Sequence, residues 1–263
     1  MNNIVHPYLL RLASLLLAIA ITDHRAIAQA LVDANTLLFL SFDNTLEGAQ
    51  GEVPVSQSGT SFTSGLSGSA ASFPTGSNLT YAATGNINSS IGTIEFLVNP
   101  TWNGNDAANH IFLMWGGGGG MVFGKDAANN LRGIFNRFAT GGQPEFGTPS
   151  FNVSSWQAGQ WHGLAYTWND TTKSLKLYID GTLTTSTTYS GTLPPIATST
   201  FQIGADGASN YLSGSLDSFR ISSTERSASE ITQYFQAAVP EPVASLLFAS
   251  GTLLFGLRRR RRN

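Results

Sequence analysis

Residues 160–169 read Gln160-Trp161-His162-Gly163-Leu164-Ala165-Tyr166-Thr167-Trp168-Asn169, and residues 173–181 read Lys173-Ser174-Leu175-Lys176-Leu177-Tyr178-Ile179-Asp180-Gly181. Leu175, Leu177 and Ile179 alternate with Lys176, Tyr178 and Asp180, so one face of the second segment is apolar and the other wet, which is the period of a half-buried strand. Asp180-Gly181 supplies the positive φ angles that a tight hairpin turn demands. The stretch therefore predicts strand, turn, strand, then a tight turn into a third strand.

The same two-residue period recurs on both sides. Upstream, strands are expected over Leu37–Phe42, Leu79–Ala82, Thr93–Val98 (stopped by Asn99-Pro100), His110–Trp115, Met121–Phe123 and Leu131–Phe138. Ser56–Ser72 is rich in Gly, Ser and Thr and predicts loops with short edge strands. Downstream, strands are expected over Phe201–Ala205 and Gly214–Ile221. Ser227-Ala228-Ser229-Glu230 has the form of a capping box, predicting one short helix with Ile231, Tyr234 and Phe235 on one side. Around a dozen short strands separated by turn signals mean an all-β sandwich or jelly roll. Gly116–Gly120 is not a phosphate loop, because no Lys-Ser/Thr and no helix start follow it; it reads as a hairpin connection.

Charged residues make up only 11% of the 263 residues, below the usual quarter, which suits turns and an uncharged polar surface. Of the 14 basic residues, Arg11, Arg25 and Arg258–Arg262 lie outside 31–236, as do Asp23 and Glu241 among the 16 acidic ones. The body keeps 7 basic and 14 acidic residues, a net charge of −7, which argues against nucleic acid as a partner. With no Cys, disulfides, thiolate metal sites and a cysteine nucleophile are excluded.

Residues 1–28 read as a secretory signal peptide. Leu9–Ile21 is apolar apart from Arg11 and Ser14, and Ala26-Ile27-Ala28 gives the small-x-small pattern for signal peptidase, with Ala28-Gln29-Ala30 as a second choice. At the other end, Pro240-Glu241-Pro242 precedes the apolar run Val243–Leu257 and the cluster Arg258, Arg259, Arg260, Arg261, Arg262. As a helix the run is about 22 Å long, short of the roughly 30 Å hydrocarbon core. The arginines stay cytoplasmic by the positive-inside rule, which places residues 29–236 outside.

This tripartite tail, residues 237–263, resembles the PEP-CTERM sorting signal of Gram-negative bacteria. The resemblance implies transient inner-membrane insertion, recognition by an exosortase, removal of the tail, and export to the envelope or an extracellular matrix, often in the setting of exopolysaccharide and biofilm. A plain membrane anchor is the alternative. Residues 36–236 resemble the laminin-G-like, concanavalin A-like jelly roll. The matching series is Leu38-Phe39-Leu40-Ser41-Phe42-Asp43, Gly68-Ser69-Ala70-Ala71-Ser72-Phe73, Thr93-Ile94-Glu95-Phe96, the Trp161–Gly181 block, and Gly214-Ser215-Leu216-Asp217-Ser218-Phe219-Arg220-Ile221 with Ser229-Glu230-Ile231. The fold hosts lectins, adhesion modules and glycosidases.

Glycosidases of this type are expected to carry Glu-x-Asp-x-x-Glu on one strand. Glu95 and Asp217 stand alone in theirs, so no catalytic residue is assigned. His110 and His162 lack a serine-nucleophile pattern nearby. By period two, Asp217 shares a face with Phe219 and Ile221. A buried carboxylate must be paired, hydrogen-bonded or metal-bound. It either caps loop N–H groups or holds Ca²⁺ together with Asp43. Trp102, Trp115, Trp156 and Tyr211 sit near predicted loops and are candidates for a sugar-stacking platform or for simple packing. Trp161 and Trp168 are expected to fill the core. The functional expectation is an exported, non-catalytic carbohydrate- or matrix-binding protein. The alternatives are a structural matrix protein without a specific ligand and a cryptic polysaccharide-active enzyme.

Overall fold

The computed structural model describes residues 31–116, 120–136, 145–195 and 198–239. Two eight-stranded sheets face each other. Sheet A holds β1 (Thr36–Leu40), β3 (Ser61–Ser64), β4 (Ser69–Phe73), β6 (Ile91–Pro100), β12 (His162–Asn169), β13 (Ser174–Ile179), β14 (Thr182–Thr188) and β16 (Gly214–Ser222). Its order is β14-β13-β12-β6-β16-β4-β3, with β1 also on β16. Sheet B holds β2 (Ser56–Ser58), β5 (Asn78–Ala82), β7 (His110–Trp115), β8 (Met121–Lys125), β9 (Asn130–Phe135), β10 (Phe146–Gly147), β11 (Phe151–Asn152) and β15 (Thr200–Ile203). Its order is β10-β9-β8-β7-β15-β5-β2, with β11 also on β9. Pairings among the described strands are antiparallel. The chain passes from sheet to sheet repeatedly, as a jelly roll does.

The block around residues 160–188 forms the strands and turn its sequence predicts, except that Tyr178, expected on the wet face, is buried under the C-terminal helix. Leu164 to Asn169 pair with Ile179 to Ser174, and Asp180 and Gly181 take φ of 50° and 77° in the turn to β14. One expected boundary moves: β6 runs through Asn99 to Pro100, because a proline at a strand terminus removes no interior ladder bond.

The core between the sheets is aromatic. Phe96 of sheet A meets Phe112 and Phe123 of sheet B at ring-centroid distances of 5.6 and 5.7 Å. Trp168, a core residue as expected, lies 5.6 Å from Trp115 and gives its indole N–H to Asn88 O at 2.9 Å. Tyr166 donates to Gly133 O at 3.0 Å. A Cβ at Gly133 would stand 2.4 Å from the Tyr166 ring, so the close approach requires glycine. Trp115 is 1% exposed. It is a strand residue facing the core, its ring taken up by Phe135 and Trp168, and it offers no surface to a ligand.

The outer face of sheet A is covered as well. Helix α1 (Ala228–Ala238) starts with both halves of the capping box formed between Ser227 and Glu230. It lays Ile231, Tyr234, Phe235 and Ala238 onto Leu31, Phe39, Leu97, Ala165 and Tyr178. Under it lies an ion pair. Glu95, fully buried, accepts from Arg220 Nε at 2.8 Å and Nη2 at 2.6 Å. Arg220 also donates to Leu31 O at 2.8 Å, and its guanidinium stands 4.1 Å over the Tyr234 ring. Burial pushes the Glu95 carboxyl upward, and the Arg220 charge opposes that shift. Nearby, Arg226 grips Asp33 with both terminal nitrogens.

The parity of β16 explains how it serves both faces. Ser218 has φ 50°, and the register against β6 shifts between Asp217 and Arg220. This bulge leaves Leu216, Phe219 and Ile221 facing the core, while Asp217, opposite Leu97, and Arg220, opposite Glu95, face the helix. Asp217 therefore does not share a face with Phe219 and Ile221, because strict period two fails across a bulge.

Removing one partner of a buried pair leaves an uncompensated charge. Arg220→Ala is expected to cost about 3–5 kcal/mol in denaturant unfolding, and Glu95→Leu combined with Arg220→Met to recover most of it. A loss below about 1 kcal/mol would show that the pair does not hold the helix layer down.

Candidate functional site

The Asp180-Gly181 turn lies beside the start of β12. Asp180 and Gly163 exchange bonds: Asp180 N donates to Gly163 O, and Gly163 N donates to Asp180 Oδ1, both at 2.7 Å. Asp180 Oδ2 is 3.3 Å from His162 Nδ1. Burial pushes the Asp180 carboxyl up, but the bonds from His162 and the Gly163 N–H outweigh it and bring it below the usual range. The group is ionised at neutral pH.

His162 begins a column of stacked rings. Its imidazole lies 3.9 Å from Trp156, Trp156 lies 6.2 Å from Trp102, and Trp102 lies 4.2 Å from His110, with interplanar angles of 9°, 16° and 11°. His110 Nε2 meets Asp106 at 2.6 Å and its Nδ1 meets Tyr211 O at 3.1 Å. Lys125 pairs with Asp106 at 2.7 Å and sits over Trp102. Burial raises the Asp106 carboxyl, yet the bonds from Lys125 and His110 bring it down to about 2. Trp102 and Trp156 are 7% and 6% exposed. Their faces stack on each other and on the two histidines, so of the two roles open to them, platform or packing, both residues take packing. Tyr211 is partly buried, its hydroxyl donating to Ala208 O at 3.3 Å.

A cleft of about 400 Å³ opens between the Asp180-Gly181 turn and the C-terminal half of α1. Its apolar walls are Leu66, Leu97, Trp161, Phe235 and Val239; its polar groups are His162, Asp180, Thr232 and Gln236. Small-ligand sites span about 300–1,000 Å³, so the cleft has room for a sugar unit. Trp161 is the residue whose role changes. It is partly exposed on the helix side of sheet A rather than packed between the sheets. Gly163 lets the helix approach, since a Cβ there would lie 2.9 Å from the Phe235 ring. Sugar hydroxyls both give and accept hydrogen bonds, and the Asp180 carboxylate and the exposed Gln236 amide supply both kinds of partner beside an indole, while His162 turns one ring nitrogen to Asp180 and buries the other. Thr232, the hydroxyl in the cleft, has Gly181 O and Ala228 O at 3.0 and 2.9 Å as acceptors for its one proton. Among the described residues the lining includes one carboxylate, Asp180, where a glycosidase uses two. A second depression, about 120 Å³ on the outer face of sheet B beside Ile111, Val122, Arg132 and Ile134, is below the ligand range.

Asp43 and Asp217 come together around the β3–β4 turn. Ser69 N donates to Asp43 Oδ1 at 3.0 Å, Leu66 N to Asp217 Oδ2 at 3.1 Å, and Ser218 Oγ to Asp217 Oδ1 at 3.1 Å. Asp217 is 2% exposed. Burial pushes its carboxyl up to about 7, against the bonds from Ser218 and Leu66 and with the Asp43 charge adding to the rise. Ca²⁺ takes six to eight oxygens. Here N–H and O–H donors meet the two carboxylates, and among the described residues no group of three or more His, Cys, Asp or Glu is placed to hold a metal. The arrangement is that of a capped turn. The signal peptide and the tail residues Pro240, Glu241, Pro242 and Arg258–Arg262 lie outside the described residues.

The family model described as the Concanavalin A-like lectin/glucanases superfamily matches residues 73–232. The chain belongs to this superfamily. No curated protein matches it. Among solved structures it is similar to the botulinum neurotoxin serotype D binding domain, at 15% identity and TM-score 0.61 over 77% of this chain and 51% of that one. It is also similar to domain 4 of AbnA, a GH43 extracellular arabinanase from Geobacillus stearothermophilus, solved with arabinotriose; there the identity is 16% and the TM-score 0.59, over 77% of this chain and 99% of that one. The binding domain of Paraclostridial Mosquitocidal Protein 1 gives 16% and 0.59, with coverage of 77% and 52%. The chain spans about half the length of the toxin binding domains. These likenesses bear out the laminin-G-like, concanavalin A-like sandwich; the neurotoxin and mosquitocidal-protein structures are described as binding domains.

Between the ordinary carboxylate value of 3.8 and about 7, folded Asp217 holds a proton that the unfolded chain has released. Stability therefore falls as pH rises through that window. The slope of Tm against pH from 4 to 7 is expected to be flatter in Asp217→Asn than in the wild type. Equal slopes, or a rise in Tm on adding Ca²⁺ at pH 7, would overturn the turn-cap assignment.

Proposed function

We propose that this is an exported, non-catalytic carbohydrate- or matrix-binding protein of the bacterial envelope or biofilm, binding glycan in the Trp161–Asp180–Gln236 cleft. The observation that carries the proposal is the cleft itself: a partly exposed indole beside an ionised carboxylate and an exposed amide, with one carboxylate in its lining among the described residues. Membership of a lectin-containing superfamily supports it, as does a shared fold with a domain solved with arabinotriose. Export follows from the N-terminal signal pattern, and release by an exosortase from the Pro-Glu-Pro, apolar and arginine series at residues 240–262. Asp43 and Asp217 act as a clamp on the β3–β4 turn, whose Leu66 forms one wall of the cleft. A structural matrix role without a specific ligand is the second reading, favoured by the uncharged strand edges described below.

A glycan screen with and without EDTA tests the binding. Binding to at least one polysaccharide is expected, unaffected by EDTA, and weakened about tenfold or more, or about 1.4 kcal/mol, in Trp161→Ala and Asp180→Asn. No binding in either condition sinks the lectin reading, and undiminished binding by both variants moves the site elsewhere. Mass spectrometry of protein released from cells is expected to show chains ending before Val243; an intact tail in that material would refute sorting by cleavage.

A further inference from the structure

The sandwich has two lateral sides. On one, the edge strands are β2 of sheet B and β3 of sheet A, consecutive in the chain. On the other, β14 of sheet A meets the β10–β11 segment of sheet B, where Thr185 Oγ1 donates to Pro149 O at 3.1 Å. The large hydrophobic side chains exposed among the described residues gather here. Val53, Val55 and Phe62 are on the first side, Leu183 and Phe151 on the second, and Val239 alone lies elsewhere. Charge is missing from the same stretches. No Asp, Glu, Lys or Arg occurs between Glu52 and Glu95, between Glu145 and Asp170, or between Asp180 and Asp206.

Edge strands carry unpaired N–H and C=O groups that recruit another strand, and soluble proteins blunt them with charges, proline or cover. β14 reads Thr-Leu-Thr-Thr-Ser-Thr-Thr over seven residues, with no charge, no proline and no fully buried position. β3 reads Ser-Phe-Thr-Ser and is exposed throughout.

We propose that the β14 side of one copy docks on the β2–β3 side of the next, continuing sheet A from copy to copy. A second copy of this chain is the partner that fits. The net −7 of the body opposes association in any orientation, so a contact between copies falls where no charge has to be buried: β14 and β3 carry no charged side chain, and both are edges of the same sheet. Pairing β14 with β14 around a two-fold axis would leave Val53, Val55 and Phe62 uncovered. A heterologous contact instead covers both sides and, unless its rotation closes a ring, extends as a filament. Glycan binding in the cleft beside α1 is independent of this contact.

The absence of native cysteine gives a direct test, since one introduced thiol per chain can only report contacts between copies. Phe62→Cys and Leu183→Cys replace exposed side chains and are made in the full chain, kept in mild detergent so that the apolar run 243–257 does not drive association. With a short bismaleimide, a mixture of the two variants is expected to give a cross-linked dimer and the double variant a ladder, while either single variant alone stays uncross-linked. Wild type is expected to gain mass beyond a dimer with rising concentration in sedimentation, and Phe62→Lys to abolish the gain. A wild type that stays monomeric, a mixture that does not cross-link, or a Leu183→Cys chain that dimerises as readily alone would each overturn the proposal.

Discussion

The Glu95–Arg220 ion pair sits where the two layers of this fold become three. Sheet A has one face against sheet B and the other under α1, so β6 and β16 are buried on both faces along most of their length. A strand buried on both sides and built only of apolar residues would not distinguish its two faces. Placing one carboxylate and one guanidinium on the helix side, paired with each other, fixes which face meets the helix. The guanidinium then reaches outward to Leu31 O and the Tyr234 ring, so the first described residues and the helix are held by the same group. The cleft exists because that helix is held at a set height over Gly163.

Much of this was legible in residue order. The alternation of Leu175, Leu177 and Ile179, the Asp180-Gly181 turn and the Ser227–Glu230 capping box each depend on neighbours within a few residues, and each forms as the sequence implies. Features set by distant neighbours were not legible. The single-residue bulge at Ser218 reverses the side on which Asp217 points, and nothing local to Leu216–Arg220 announces it. Trp102 and Trp156 flank turns, as sugar-binding rings often do, yet their faces stack with His110 and His162, which enter from different sheets. Trp115 sits beside a glycine run but belongs to the core strand before it.

The cleft shows the same limit from the other direction. Its walls come from residues 66, 97, 161–163, 180–181 and 232–239, five segments that no single window of sequence contains. The nearest signal was within the 160–181 block itself. A Trp-His pair at the start of one strand lies one hairpin away from an aspartate at the end of the next, so antiparallel pairing had to bring them together. Asp180 serves as turn residue, as acceptor for Gly163 N–H and as the charge in the cleft, and its turn role is the one that sequence makes visible.

Leu31 and Ala238 belong to one apolar cluster, so the chain enters and leaves the described domain from a single patch. This has a mechanical meaning. A pull applied beyond Val239 loads α1 from its C-terminal end, and the contacts of Ala238 and Phe235 bear it first. These are side-chain contacts that peel one after another, whereas the hydrogen-bonded strands of sheet A lie behind them and resist together. A load on that end would therefore free the helix before it reached the hydrogen-bonded sandwich.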